Sequence, residues 1–195
     1  MAVVESTMLE LGEKAPEFKL PDPDGKLISY NDVIGDNGLV VMFISNHCPF
    51  VIHVAQEISR VAETYRDKGV GFIAIASSDL STHPQDGPKH MREFAAKYQF
   101  PFPYVFDATQ QTAKSYKAAC TPDFYVVDNK GRIFYRGRLD NSTPSNNLPL
   151  TGQDLRDALD ALVNGDTPPI NQFPSMGCNI KWKKGNEPDY FGIKV

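Results

Sequence analysis

Cysteine is scarce in this chain: three residues in 195, at positions 48, 120 and 178. An odd, sparse set argues against a structural disulfide framework. It suits a reducing compartment, where a thiol is catalytic, metal-binding or inert. Basic residues are not in excess, with 20 Lys and Arg against 24 Asp and Glu and a formal charge of -4, both signs scattered along the chain. That pattern excludes the basic footprint of a nucleic-acid-binding protein. No apolar run approaches the about 20 residues that a membrane-spanning helix needs. Met1–Thr7 has no basic stretch leading into an apolar one, so the expected location is cytoplasmic. His47, His53, His83 and His90 do not fall into a zinc spacing with Cys48. Gly12, Gly25 and Gly35 form no phosphate-binding or dinucleotide-binding pattern. Neither a metal nor a bound cofactor is therefore expected.

What is present is an ordinary core, with 41% hydrophobic and 11% aromatic residues. Between residues 11 and 30, Pro21-Asp22-Pro23-Asp24-Gly25 reads as a tight turn joining short extended pieces, an N-terminal hairpin. Leu39–Ile44 is an uninterrupted apolar run of strand length, as for a strand covered on both faces. From residue 50 the period changes. Val51, Val54, Ile58, Val61, Ala62 and Tyr65 recur at helical spacing, and Gly69 stops the helix.

A second buried strand is expected at 70–76, then a polar insertion near 78–89 and a helix at 90–98. A short strand at 104–106 and a short helix at 110–117 follow. Strands at 124–128 and 132–138 flank the turn Asn129-Lys130-Gly131, and a last helix at 151–164 has Thr151 as expected N-cap. This order predicts an α/β fold with a mixed central sheet flanked by helices. Residues 1–164 make the domain; 165–195 form a Pro- and Gly-rich C-terminal extension expected to lie along its surface.

Cys48 stands directly after the first buried strand and directly before the first long helix, in Ser45-Asn46-His47-Cys48-Pro49-Phe50-Val51. Pro49 suits the first helical turn, because the N–H it lacks has no partner there. A thiol at a helix N-terminus meets unpaired N–H groups and the positive end of the helix dipole, which favours thiolate over thiol. Ligands and reactive groups gather at such strand-to-helix turns. Cys48 is the expected nucleophile, and His47 beside it could assist when protonated.

The segment Gly12-Glu13-Lys14-Ala15-Pro16-Glu17-Phe18-Lys19-Leu20-Pro21-Asp22 resembles the opening of the AhpC/TSA (peroxiredoxin-related) and redoxin families. The strand–Cys48–helix unit is similar to theirs and to that of thioredoxin. Cys120-Thr121-Pro122-Asp123-Phe124-Tyr125-Val126-Val127-Asp128 resembles their cis-proline loop and following strand, and the similarity runs over roughly residues 11–164. It implies a thioredoxin-like fold of the thiol-disulfide isomerase type. It also implies a cis Pro122 and a loop facing Cys48, with Ser45, His47, Pro49, Thr121 and Pro122 around the substrate and the main chain of Thr121 open to pair with an extended partner. Cys120, two residues before the proline, is then the candidate resolving cysteine, with a space-filling role as its rival. Cys178 is a second candidate, with a tail-anchoring role preferred.

Two departures bear on the chemistry. The thioredoxin motif Cys-x-x-Cys has Val51 at its fourth position here. The peroxiredoxin motif Pro-x-x-x-Thr/Ser-x-x-Cys keeps Ser45 but has Val41 for the proline, and Pro122 falls where the peroxide-binding Arg belongs. Arg138 is a substitute only if it reaches the thiol; otherwise it is a surface charge. The expected function is thiol–disulfide exchange through Cys48, acting on protein disulfides with electrons from a thioredoxin- or glutathione-like donor. The alternatives are a peroxiredoxin-like peroxidase with antioxidant activity toward hydroperoxides, and a non-enzymatic redox-sensing or binding module.

Overall fold

A computed structural model describes residues 3–191. In chain order its elements are β1 (Val3–Glu5), β2 (Lys19–Pro21), β3 (Leu27–Ser29), α1 (Tyr30–Val33), β4 (Gly38–Phe43), α2 (Pro49–Arg66) and β5 (Val70–Ala76). Then come α3 (Pro88–Lys97), β6 (Tyr104–Phe106), α4 (Gln111–Ser115), β7 (Cys120–Thr121), β8 (Asp123–Asp128), β9 (Ile133–Gly137), α5 (Gln153–Asn164) and β10 (Met176–Asn179).

Five strands form the central sheet in the order β6-β5-β4-β8-β9. β4, β5 and β6 run parallel, and β8 and β9 add antiparallel pairs. β4 lies in the middle, which is why its sequence is apolar throughout: side chains alternate across the sheet, so both faces need oily residues. Val40, Met42 and Ile44 pack on one side with the buried stripe of α2 and with Leu155, Ala158 and Leu159 of α5. Leu39, Val41 and Phe43 pack on the other with Tyr116, Tyr125 and the β2–β3 hairpin. Burying a side chain of this size contributes about 1.5–3 kcal/mol, so β4 is the structural axis of the domain. This mixed sheet with helices on both faces is a thioredoxin-like fold.

Glu57 of α2, 5% exposed, ties the two helices on the first face together. It accepts from Arg156 at 2.6 Å, so its buried charge is compensated. The start of α5 departs from the sequence expectation. Gly152, at φ 67°, is the N-cap in place of Thr151. The reason is Asp140, whose carboxylate accepts the N–H of Thr151 at 2.7 Å and of Gly152 at 2.6 Å, bending the chain before the helix begins.

The C-terminal segment also departs from expectation. It does more than run along the surface: β10 is the middle strand of a second, antiparallel sheet, β1-β10-β7. In it Cys178 pairs with Thr121 and Asn179 with Cys120, while Val3 pairs with Cys178 from the other side. Gly177 permits this closeness, because a Cβ there would lie 2.0 Å from the carbonyl oxygen of Thr121. Both ends are fastened. Ser175 Oγ donates to the Pro122 carbonyl at 2.5 Å, and the Ile180 N–H donates to Ala119 at 3.0 Å.

Candidate active site

Cys48 is the N-cap of α2, with Pro49 in the first helical turn. Its side chain makes no capping hydrogen bond. Instead the Cys48 thiol donates to the main-chain carbonyl of Thr121 at 3.1 Å, and the residue is fully buried. The Thr121–Pro122 peptide bond is cis. The strand-to-helix turn and the proline loop, 73 residues apart in sequence, thus meet at the sulfur.

The second thiol in hydrogen-bonding contact with Cys48 is Cys178. Burial, followed by the neighbouring Cys48 sulfur, pushes the Cys178 thiol up to about 11, while Lys181 works in the opposite direction. Cys120 is turned elsewhere. Its sulfur faces the carbonyls of Pro122 and Ser175, at 3.5 and 3.7 Å, and burial, then Asp123, raises its pKa well above the ordinary range. The Cys48 sulfur adds to that rise, so Cys120 lies near it, with its own thiol turned to those two carbonyls.

The other residues implied by the resemblance divide. Pro49 is exposed at the head of α2. Thr121 is buried, and its edge is not open to a partner, because β10 of the same chain already occupies it. Ser45 and His47 converge on a residue the sequence reading passed over, Asp86. Ser45 Oγ donates to Asp86 at 2.9 Å, the Asn46 N–H donates at 2.8 Å, and His47 Nδ1 lies 3.0 Å from Oδ2. Asp86 is fully buried. Burial works to raise its pKa, but hydrogen bonds from His47, Ser78 and Ser45 outweigh it and hold the carboxyl below its usual range.

His83 stacks on His47 with centroids 4.9 Å apart, and burial, then His47, lowers its pKa. His47 Nε2 is buried without a hydrogen-bond partner. The carboxylate thus holds in place the imidazole that is next in sequence to the nucleophile. Asp86 lies in the 78–89 insertion, where nothing local distinguishes it from a turn residue.

Asp123 is another buried acid that sequence reasoning missed. Fully buried below the proline loop, it is pushed up to about 7 by desolvation, against hydrogen bonds from Ser6 and Tyr125. Arg138 is committed elsewhere, with Nε 2.5 Å from Asp154 and its guanidinium 4.4 Å above the Phe173 ring.

Beside the thiols, Ser45, His47, Ser78, Thr121, Cys178 and Lys181 line a crevice of about 10 Å3. That is close to the least volume that admits one water molecule. No disulfide substrate fits while β10 is in place.

The redoxin family model matches residues 10–155. The thiol-disulfide oxidoreductase ResA of Bacillus thuringiensis subsp. konkukian (strain 97-27) is 24% identical over 125 residues, covering 64% of this chain and 68% of that protein. A solved structure, described as an uncharacterized conserved protein from Geobacillus kaustophilus, superposes with a TM-score of 0.92 at 50% identity, covering 94% of this chain and 97% of that one. The thioredoxin domain of a thiol-disulfide oxidoreductase from Bacteroides vulgatus shares the fold, with a TM-score of 0.63 at 19% identity, over 80% of this chain and all of that one (100%).

Proposed function

The chain belongs to the redoxin family, and from that premise we propose that it is an enzyme of thiol–disulfide exchange with Cys48 as nucleophile. The observation that carries this reading is the meeting of the Cys48 thiol, at the head of α2, with the Thr121 carbonyl beside a cis proline. In this reading the Cys48 sulfur, once deprotonated, attacks a disulfide in line and forms a mixed disulfide, and the displaced thiolate takes up a proton. His47, oriented by Asp86, supplies or accepts that proton. The name of the ResA relative supports thiol–disulfide exchange; in this reading the substrate is a protein disulfide and the electron donor a thiol of the thioredoxin or glutathione class. The sparse cysteines support a reducing, cytoplasmic setting.

A peroxidase draws less support. Val41, where the peroxiredoxin motif has proline, is a buried β4 core residue, and Arg138 is held by Asp154. The test is turnover of a disulfide substrate with a reducing partner, set beside hydrogen peroxide. Disulfide reduction that disappears in Cys48→Ser is the expected result. Peroxide consumption exceeding disulfide reduction would reverse the assignment, and activity surviving in Cys48→Ser would remove Cys48 from it.

A further inference from the structure

Cys48 lacks the second cysteine of Cys-x-x-Cys in its own helix, because Val51 fills that position and is fully buried in the core. A mixed disulfide on Cys48 therefore needs a thiol brought in from elsewhere. Three observations converge on one. The Cys178 thiol hydrogen-bonds with Cys48. Its residue is the ladder partner of Thr121, whose carbonyl receives the Cys48 thiol. And β10 lies on the strand edge beside the cis proline, where an extended substrate would otherwise pair by strand addition.

We infer that Cys178 is the resolving cysteine, delivered to Cys48 by β10, which sits on the Thr121 edge as an intramolecular occupant of the substrate's place. This rests on Cys48 being the nucleophile proposed above.

The sequence of steps balances. The Cys48 thiolate attacks one sulfur of a substrate disulfide; the S–S bond breaks, Cys48 is joined to half the substrate, and the other half leaves as a thiol after taking a proton. The Cys178 thiolate then attacks the Cys48 sulfur, expels the second half as a thiol, and leaves a Cys48–Cys178 disulfide. The substrate gains two electrons and two protons, and the two cysteines lose them. A thiol donor of the dithiol-protein or glutathione class restores both. Part of what raises Cys178 in the resting protein is the Cys48 sulfur beside it. That influence is removed when Cys48 is tied up in the mixed disulfide, so Cys178 becomes the better nucleophile at the step that needs it.

Because β10 covers Cys48, a substrate enters only when the strand lifts from Thr121. Resolution follows when it returns and, in the same movement, expels what has taken its place. Gly177 is the positioning residue: it allows the approach of β10 to the Thr121 carbonyl.

The experiment is stoichiometric reaction of the reduced full-length protein with dithiobis-nitrobenzoate, counting released coloured thiolate and locating the product by non-reducing peptide mass spectrometry. The wild type is expected to release two equivalents and to yield a peptide pair joined through Cys48 and Cys178. Cys178→Ser is expected to release one equivalent and to retain the reagent on Cys48. Cys120→Ser should still release two.

A wild-type disulfide between Cys48 and Cys120 would overturn the inference, as would a stable adduct on Cys48 with both other thiols free. Each would leave the nucleophile assignment standing. Failure of Cys48 to react at all would instead bring down that assignment, and the inference with it. Mapping the wild-type protein requires no variant to fold.

Discussion

The carbonyl oxygen of Thr121 accepts the Cys48 thiol at 3.1 Å, and on the ladder Thr121 faces Cys178. One peptide unit thus organises both sulfurs, and the chemistry depends on a strand that must separate from it and return.

Gly177→Ala tests that movement. The added methyl would fall 2.0 Å from the Thr121 carbonyl, a backbone atom that cannot step aside. β10 should be held off β7. Cys48 is expected to react with a disulfide reagent faster, and closure of the internal disulfide to slow by roughly tenfold, the equivalent of about 1.4 kcal/mol of barrier. Stopped-flow release of the first and second thiolate separates the two steps. A change of equal size in the same direction for both would mean a general loosening instead.

Asp86→Asn should keep the fold and impair the proton transfer. His47 loses its charged anchor, and Ser45 and the Asn46 N–H keep only a neutral acceptor. The rate of disulfide reduction is expected to fall by about a hundredfold, the low end of what general acid–base catalysis supplies, with an altered pH profile. In stability the sign is that of a depressed carboxylate. The wild-type advantage over Asp86→Asn is full above the ordinary carboxylate value of 3.8 and is lost as pH falls through the lower folded value. Melting temperatures of the pair across that acid range measure it.

Asp123 has the opposite sign. Its folded pKa of about 7 lies above its ordinary 3.8, so the folded state holds a proton that the unfolded chain gives up. The contribution is complete below about 3.8 and declines as pH rises to about 7, because burying the ionised form is unfavourable. The groups facing it are Ser6, Tyr125, Cys120 and Tyr190, none of them cationic. Asp123→Asn should therefore gain on the wild type by up to a few kcal/mol between about pH 5 and about pH 8. Thermal melts at the two pH values decide it, and a constant difference would contradict the raised value.

Phe43→Ala serves as the structural contrast. Its ring, at the end of β4, packs 5.6 Å from Tyr116 and 6.0 Å from Tyr125. Truncation leaves a cavity the sheet cannot close, and about 3–5 kcal/mol of stability should be lost in denaturant unfolding. The order of thiol reactivity among the three cysteines should persist in the protein that remains folded.

The elements legible in the sequence are those whose cause is local. β4 and β5 were readable as apolar runs of strand length, and α2 as a stripe at helical spacing headed by Pro49. The position of Cys48 between them follows from chain order alone. Thr151 failed as a cap because the deciding carboxylate, Asp140, lies 11 residues away.

The site divides along the same line. Periodicity and spacing depend on neighbours within a few residues, so strands, helices, hairpin and nucleophile are written into the sequence by itself. The partner of Cys48, the anchor of His47 and the occupancy of the Thr121 edge depend on contacts across long stretches of chain. Cys178 reaches Cys48 because β10 finds two strands to pair with, and strand pairing is paid in backbone hydrogen bonds that carry no mark of sequence. Asp86 becomes an anchor only where burial removes water and leaves His47, Ser45 and the Asn46 N–H to compensate its charge. Tertiary structure alone made those decisions, because burial and long-range pairing come into existence only with the folded chain.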